Sequence, residues 1–197
     1  RDYYASRGLG DVYKRQIREV SAHFEDYDLG LAAQKIYDFA WSEFCDWYIE
    51  LAKVSLNGEG RAATLAVLRH VLICLLKMLH PFMPFITDEV YRYIPGTEGT
   101  IMLSDWPKAD DAMNFPQEAH EMEGVMDVIR SIRNLRAEMN VPPARRTAVY
   151  MVTPAENAPA FEMARAYLMK LAGAENVIVQ QDKNGIPKGC LLYTSPS

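Results

Sequence analysis

The sequence predicts a mainly α-helical protein, an antiparallel helical bundle with a small C-terminal α/β appendix. Of its 197 residues, 49% are hydrophobic and 24% charged, which is typical of a globular chain large enough to bury a core. Apolar residues recur at steps of three and four through most of the first 140 positions, as in amphipathic helices. After Pro142-Pro143 the period changes, and alternating strand-like segments begin.

The first predicted helices lie before residue 60. Residues 17–26 have the pattern of a helix end, and Asp28 is placed to cap the next helix. A long helix is predicted from Leu29 to about Val54, and Asn57-Gly58-Glu59-Gly60 ends it. Its predicted apolar face consists of Ile36, Tyr37, Ala40, Trp41, Phe44, Trp47, Tyr48 and Leu51.

A second strong helix is predicted from Arg61 to Leu79, central in the bundle because its middle is apolar on nearly all sides. Its inward residues would be Leu65, Leu68, Leu72, Leu75, Leu76 and Leu79. Pro84 can open a short helix to about Ile94, since proline is tolerated in a first turn. Residues 95–116 then form a packed connection.

The remaining elements form the predicted appendix. A long helix runs from Glu118 to Asn140, followed by a strand at Thr147–Val152, a helix over 156–172 that closes at Gly173, and a strand at Asn176–Gln181. These patterns divide the chain into a bundle at 17–116 and a helix plus β-α-β unit at 117–187.

The two ends differ from the rest of the chain. Residues 1–16 and 188–197 have no amphipathic period and resemble translated sequencing read-through, so we interpret them as non-native tails. Frayed natural termini are the alternative. Both interpretations exclude these segments from the predicted fold and function.

The charge balance argues against a freestanding nucleic-acid binder. The net charge is −5, and residues 17–115 carry eight Lys and Arg against fifteen Asp and Glu, whereas 116–187 carry eight against nine. Nucleic-acid binders usually carry an excess of positive charge. Any RNA role must therefore depend on a local patch or on a larger protein around this one.

Other classes are excluded by simple patterns. We expect no transmembrane helix, because the most apolar run, Val71–Leu76, is far shorter than a span and is flanked by charge. No signal peptide is recognisable, and three cysteines without metal-ligand spacing favour the cytoplasm. We expect no metal, cofactor or catalytic residue in this chain and no membrane partner.

Several groups have both a functional and a structural interpretation. The carboxylates Asp38, Glu43, Asp46 and Glu50 could form an acid–base pair, but their spacing favours a solvated helix face. The rings of Trp41, Phe44, Trp47 and Tyr48 could stack on bases, but core packing is favoured. His80 is expected to hydrogen-bond a free carbonyl at a helix end, and Cys45 and Cys74 to fill apolar space.

One basic concentration resists a purely structural interpretation. On the helix 118–140, the inward line of Met122, Met126 and Ile129 continues through Arg133, Arg136 and Asn140. The candidate RNA-binding residues are Arg130, Arg133, Arg136, Asn140, Arg145 and Arg146. They could hold phosphates or a partner's carboxylates, or the arginines could reach out to water or to Glu138.

Three runs carry a family resemblance. FAWSEFCDWYIELAK at 39–53, LHPFMPFITDE at 79–89 and IRNLRAEMNVPP at 132–143 resemble, in this order, the anticodon-binding domain of valyl-tRNA synthetases. The second run is shared with the related isoleucyl and leucyl enzymes, and the combination favours the valyl type. The resemblance covers about residues 17–187.

The resemblance implies a helical bundle of the class I synthetase type that positions tRNA. By the same resemblance the full enzyme is a monomer that uses ATP, and its catalytic and editing domains are partners within one chain. The His-Ile-Gly-His and Lys-Met-Ser-Lys-Ser signatures for ATP are not in this sequence. The alternatives are the equivalent domain of an isoleucyl or leucyl enzyme and a helical interaction module with no RNA partner.

Overall fold

The computed structural model describes residues 3–56, 61–109, 116–142, 144–187 and 191–194. It divides into two compact units, one covering residues 2–119 and the other 120–197. The predicted class is confirmed, because the first unit is helical and the second contains a small parallel sheet.

The first unit is the helical bundle. Its elements are α1 (Tyr3–Glu25), α2 (Leu29–Asp38), a π-helix (Phe39–Tyr48), α3 (Ile49–Ser55), α4 (Arg61–Leu79), α5 (Pro84–Arg92) and a 3₁₀ turn (Ile101–Leu103). One buried cluster joins α1, α2, the π-helix and α4 through Val20, Ile36, Phe39, Val71 and Met78. Asp28 caps α2 as predicted, since its Oδ1 accepts a bond from the Leu31 amide. The predicted stop at 57–60 lies outside the described residues.

The π-helix corrects the predicted apolar face. Ile36, Phe44, Trp47, Tyr48 and Leu51 are buried as expected, whereas Tyr37 and Trp41 are 61% and 59% exposed. The expectation assumed the α-helical period throughout, but bonds between residues five apart rotate Trp41, within the π-helix, relative to that period. Tyr37 precedes the π-helix, and nothing in the structure explains its exposure. Phe39, three residues after Ile36, is also buried, although the predicted face did not include it.

Helix α4 has the predicted bounds and most of the predicted inward face. Of the predicted residues, Leu75 and Leu76 are buried and Leu68, Leu72 and Leu79 pack against the cluster, whereas Leu65 is exposed, contrary to prediction. Val71, Cys74 and Met78 also belong to the cluster. The side chains facing the cluster are thus not all leucines. Among the described residues, α4 is the one helix with the length and hydropathy of a membrane span, and a core helix meets the same two criteria. The expectation that no helix fits a span was therefore too strict.

Helix α5 is fixed at its beginning and along one side. Thr87 Oγ1 bonds the Met83 carbonyl at 2.8 Å and lies 2.8 Å from His80 Nδ1. His80 therefore contacts a side-chain oxygen at the helix start, instead of the predicted carbonyl. Asp88 Oδ1 accepts bonds from Thr100 Oγ1 at 2.6 Å and from the Ile101 amide at 3.0 Å. These bonds attach the following loop to the helix, as the predicted packed connection requires.

The second unit contains the C-terminal part of the long helix and the sheet. Its elements are α6 (Pro116–Glu138), β1 (Thr147–Val152), α7 (Ala158–Met163), α8 (Arg165–Leu171), β2 (Ala174–Gln180) and β3 (Leu191–Thr194). The strand order is β2-β1-β3 with both pairs parallel, and Val149 pairs with Val177 and with Leu191. The helix predicted over 156–172 divides in two at Ala164.

The terminal segments are more ordered than expected. Helix α1 begins at Tyr3, and Tyr13, Lys14 and Gln16 are buried, so residues 13–16 belong to the bundle. Likewise β3 forms the edge of the sheet within the predicted tail, and two of its four residues, Tyr193 and Thr194, are of types enriched in strands. Residues 1, 2, 188–190 and 195–197 lie outside the described residues, and the non-native origin of both tails stays a prediction.

Candidate nucleic-acid interface

The basic patch is built around the end of α6. The Val141 amide bonds the Arg136 carbonyl at 2.8 Å, and the Asn140 amide bonds the Ala137 carbonyl at 3.0 Å. This pair of bonds is a Schellman cap, which requires a left-handed residue at Asn140, where φ is 52°. Asparagine tolerates that conformation better than most residues. The cap turns the chain sharply and leaves Asn140 exposed at the turn.

Arg136 is the residue that departs most from its predicted role. Its side chain is only 7% exposed. Nη1 donates to Thr147 Oγ1 and to the Gly173 carbonyl, each at 3.2 Å. Nη2 donates to the carbonyls of Pro142 at 3.2 Å and Arg145 at 2.7 Å. Arg136 therefore holds the α6–β1 connection and the turn before β2, and its guanidinium faces the protein interior instead of an RNA surface.

The turn that Arg136 holds before β2 contains a glycine. Gly173 has a φ of 64°, and this left-handed backbone favours glycine. A Cβ placed there would lie 3.4 Å from Arg136 Cζ, which is an ordinary van der Waals contact. The turn predicted from Gly173 is thus also a component of the arginine site.

The other predicted residues remain accessible, with different partners. Arg133 is exposed, and its Nε donates to the Leu171 carbonyl at 2.8 Å. Arg130 forms an ion pair with Asp127 of the same helix at 2.8 Å. Arg145 and Arg146 are both exposed on the connection that Arg136 holds. The structure thus brings Arg133, Arg136 and Asn140 together, and it places Arg130 beside a carboxylate.

An open pocket of about 640 Å³ lies between the end of α6 and the turn after α8. Arg133, Arg136, Asn140 and Lys170 supply its polar lining, and none of its lining residues is acidic. Its apolar lining is formed by Ala137, Val141, Pro142, Leu171 and Ala172. The pocket therefore combines positive charge with a small apolar surface.

Lys170 and Gly173 were missed as site residues. Both lie more than 30 positions after Arg136, and nothing in the spacing of the basic residues connects them to α6. The signal that was available is the predicted helix end at Gly173, which places Lys170 in the last turn before it. It did not show where that turn lies relative to α6.

The acidic and aromatic candidates of the bundle show structural roles. Asp38 and Asp46 are exposed, and Glu50 pairs with Lys53, as in the favoured solvated face. Among the described residues no group of three or more His, Cys, Asp or Glu could hold a metal ion. Phe44 and Tyr48 are stacked in the core with ring centroids 6.1 Å apart. Trp41 is exposed, so the core interpretation is wrong for that ring.

The cysteine expectation is half correct. Cys74 is buried as predicted, whereas Cys45 is exposed. Cys74 Sγ lies 3.8 Å from His70 Nε2, and burial raises the pKa of the thiol. Burial, with Arg69 and Lys77 nearby, lowers the pKa of His70. Both shifts oppose a thiolate–imidazolium pair, so this contact is not an activated nucleophile.

Comparison with known proteins identifies the class. Residues 9–151 match the family described as the anticodon-binding domain of tRNA ligase, and the chain belongs to this family. The match includes the bundle, α6 and most of β1.

Individual relatives give a finer similarity. The chain is 43% identical over 178 residues to a valine–tRNA ligase of Clostridium acetobutylicum. The aligned segment covers 89% of this chain and 20% of that relative. It is 44% identical over 173 residues to that of Clostridium perfringens, covering 86% and 20%. It is 37% identical over 167 residues to that of Geobacillus stearothermophilus, covering 83% and 19%. The chain thus spans about a fifth of the length of these relatives.

Proposed function

We propose that this chain is the tRNA-positioning part of a valine–tRNA ligase, an enzyme that joins valine to its tRNA with ATP. The observation that carries the proposal is the match of residues 9–151 to the anticodon-binding family, together with 43% identity to a valine–tRNA ligase along 89% of the chain. Activation of valine and editing of misacylated tRNA would take place elsewhere in such an enzyme. Editing is physically expected, since a small apolar pocket discriminates poorly against an isostere.

The charge distribution limits how the chain would hold tRNA. Residues 17–115 are strongly acidic, so the bundle as a whole repels phosphates. The exposed cations Arg133, Arg145, Arg146 and Lys170 are gathered in the second unit. We expect the bundle to act as a rigid scaffold and the cationic surface of the second unit to supply much of the salt-dependent affinity.

A transplant experiment tests the proposal. Residues 9–187 would replace the matching segment of the Clostridium acetobutylicum ligase, and two reactions would be measured on the chimera. Valine-dependent ATP–pyrophosphate exchange reports on the catalytic body, and attachment of valine to a transcript of its tRNA reports on tRNA positioning. We expect both activities to persist. Normal exchange with no attachment at any tRNA concentration would contradict the proposal.

The same transplant separates the alternatives. Placed in an isoleucine–tRNA ligase, the segment should support pyrophosphate exchange but little attachment of isoleucine. Efficient attachment there, with failure in the valine enzyme, would favour the isoleucyl alternative.

The alternative function, a helical interaction module with no RNA partner, has one observation in its favour. Phe85, Ile86, Val90 and Tyr93 are exposed along one side of α5, an apolar patch beside acidic residues. Replacing Phe85 and Ile86 with serine should leave attachment of valine in the chimera within about twofold if the chain acts through tRNA. Failure of attachment in the unmodified chimera, with pyrophosphate exchange intact, would favour the interaction module.

A further inference from the structure

The pocket at the end of α6 has the properties of a nucleotide site. Two exposed cations, Arg133 and Lys170, line its cationic rim. The Arg133 Nε also bonds the carbonyl of Leu171, the residue directly after Lys170. Among the described residues, no carboxylate forms an ion pair with Lys170, and the pocket has no acidic lining residue. The rim is thus suited to an anion such as a phosphate.

The rest of the pocket is suited to a base. Leu171 and Ala172 provide apolar surface, and Val141 and Pro142 follow the cap of α6. The Asn140 side chain is exposed at the edge, and an amide can both donate to and accept from a base edge. About 640 Å³ lies within the range of small-molecule sites and is far more than a phosphate alone needs.

The walls are held in place by Arg136. Its bonds to Pro142, Arg145 and Gly173 connect the two segments that form opposite sides of the pocket. The pocket is therefore preorganised, which lowers the entropic cost of binding a flexible ligand.

We propose that this pocket binds one unstacked nucleotide of the tRNA, with its phosphate between Arg133 and Lys170 and its base on the surface formed by Leu171 and Pro142. Single-stranded loops present such nucleotides, and proteins read them by stacking and by contacts to base edges. This inference rests on the proposed function and adds the second unit as a specific contact.

The first test measures the salt dependence of tRNA binding. The dissociation constant of this chain for a fluorescent valine tRNA transcript would be measured over a range of KCl concentrations. Lys170→Gln should weaken binding about fivefold at low salt and reduce the slope of log affinity against log salt by about 0.7, the share of one single-strand phosphate. The control Lys183→Gln removes the same charge from an exposed position of the same unit outside the pocket. It should change the affinity less than twofold and leave the slope unchanged.

The second test locates the RNA. A transcript containing 4-thiouridine would be cross-linked to the chain, and the modified peptides identified by mass spectrometry. We expect cross-links in residues 137–146 or 165–173. Asn140→Gly removes the amide and keeps the left-handed backbone, so it should reduce these cross-links without unfolding the cap.

The outcomes separate the two proposals. Equal effects of Lys170→Gln and Lys183→Gln, no cross-link in the pocket segments, or no binding of the transcript would overturn the nucleotide site. If the chimeric ligase still attaches valine in that case, the proposed function stands. If the chimera fails to attach valine while cross-links map to the pocket, the nucleotide site stands as an RNA contact without that enzyme.

Discussion

The bundle and the α/β unit end their first long helix with the same hydrogen-bond motif, but they stabilise the region around it differently. In the bundle, the Asp28 amide bonds the His23 carbonyl, and Tyr27 takes the left-handed position with a φ of 59°. In the second unit, Asn140 takes that position. Tyr27 is 90% exposed at the end of a helix held by apolar packing, whereas Asn140 follows a helix whose end is held by Arg136. The same local motif thus occurs with either kind of long-range support.

The largest expected effect tests the apolar support of the bundle. Phe39→Ala should lower the free energy of unfolding by about 4 kcal/mol, because Phe39 is fully buried and truncation leaves a cavity. The control Trp41→Ala, in the same π-helix, should cost less than about 1 kcal/mol, since that ring is exposed. Urea unfolding followed by far-UV circular dichroism measures both. Similar losses for the two variants would contradict the burial of Phe39 and the exposure of Trp41.

The next effect tests the polar support of the second unit. Arg136→Met should destabilise that unit by about 3 kcal/mol, because three carbonyls and a hydroxyl lose a charged donor in a buried site. The control Arg130→Met removes an exposed arginine of the same helix and should cost less than about 1 kcal/mol.

Hydrogen–deuterium exchange locates the effect of Arg136→Met. Peptides of β1 and β2 should exchange faster, while peptides of α2 and α4 keep their protection. Unchanged exchange in both strands would show that Arg136 does not support the sheet.

A smaller change in stability is expected at the left-handed residue of each cap, and it allows the two caps to be compared directly. Tyr27→Gly should stabilise the protein by about 0.5–1 kcal/mol, since glycine adopts the left-handed conformation without a Cβ penalty. Asn140→Gly should increase the stability by a smaller amount, because asparagine already tolerates that conformation. Thermal unfolding of both variants measures the difference. A loss of stability in Tyr27→Gly would mean that the exposed ring makes a contribution larger than the backbone strain.

The smallest effect concerns the pH dependence of the α5 contact. Hydrogen bonds from Thr100 and Ile101, aided by Arg92, lower the pKa of Asp88 below its ordinary value of 3.8. The ionised carboxylate therefore stabilises the fold fully above that value, and its contribution is lost as the pH falls through the lower folded pKa. The difference in Tm between the wild type and Asp88→Asn should be constant near neutrality and shrink below about pH 4. The control is Glu89→Gln, at the neighbouring exposed position of the same helix.

The sequence predicted the elements better than it predicted their faces. It placed α4 at Arg61–Leu79 and β1 at Thr147–Val152, because long apolar periods and β-branched alternation are local signals. It misassigned Trp41 and Leu65, because a π-helix and the packing around α4 change which residues point inward.

The candidate site shows the same limit of local signals. The sequence singled out Arg133, Arg136 and Asn140, and all three line the pocket. Arginine is usually exposed, and so the burial of Arg136 was not expected. The buried guanidinium bonds the carbonyl of Gly173, 37 residues further along the chain, and a contact over this distance leaves no local pattern.

The exposed ring of Trp41 in the π-helix also allows the bundle to be observed by tryptophan fluorescence. Of the three tryptophans, Trp47 is buried and Trp106 donates from Nε1 to Ser21 Oγ at 2.8 Å, so Trp41 is the one with open access to solvent. Exposed Asp38 and Asp46 flank it in sequence, and this local negative charge should admit caesium ions more readily than iodide as fluorescence quenchers. A molecule that covers this helix would remove the preference for caesium, and its binding could be followed by the fluorescence of Trp41 without any attached dye.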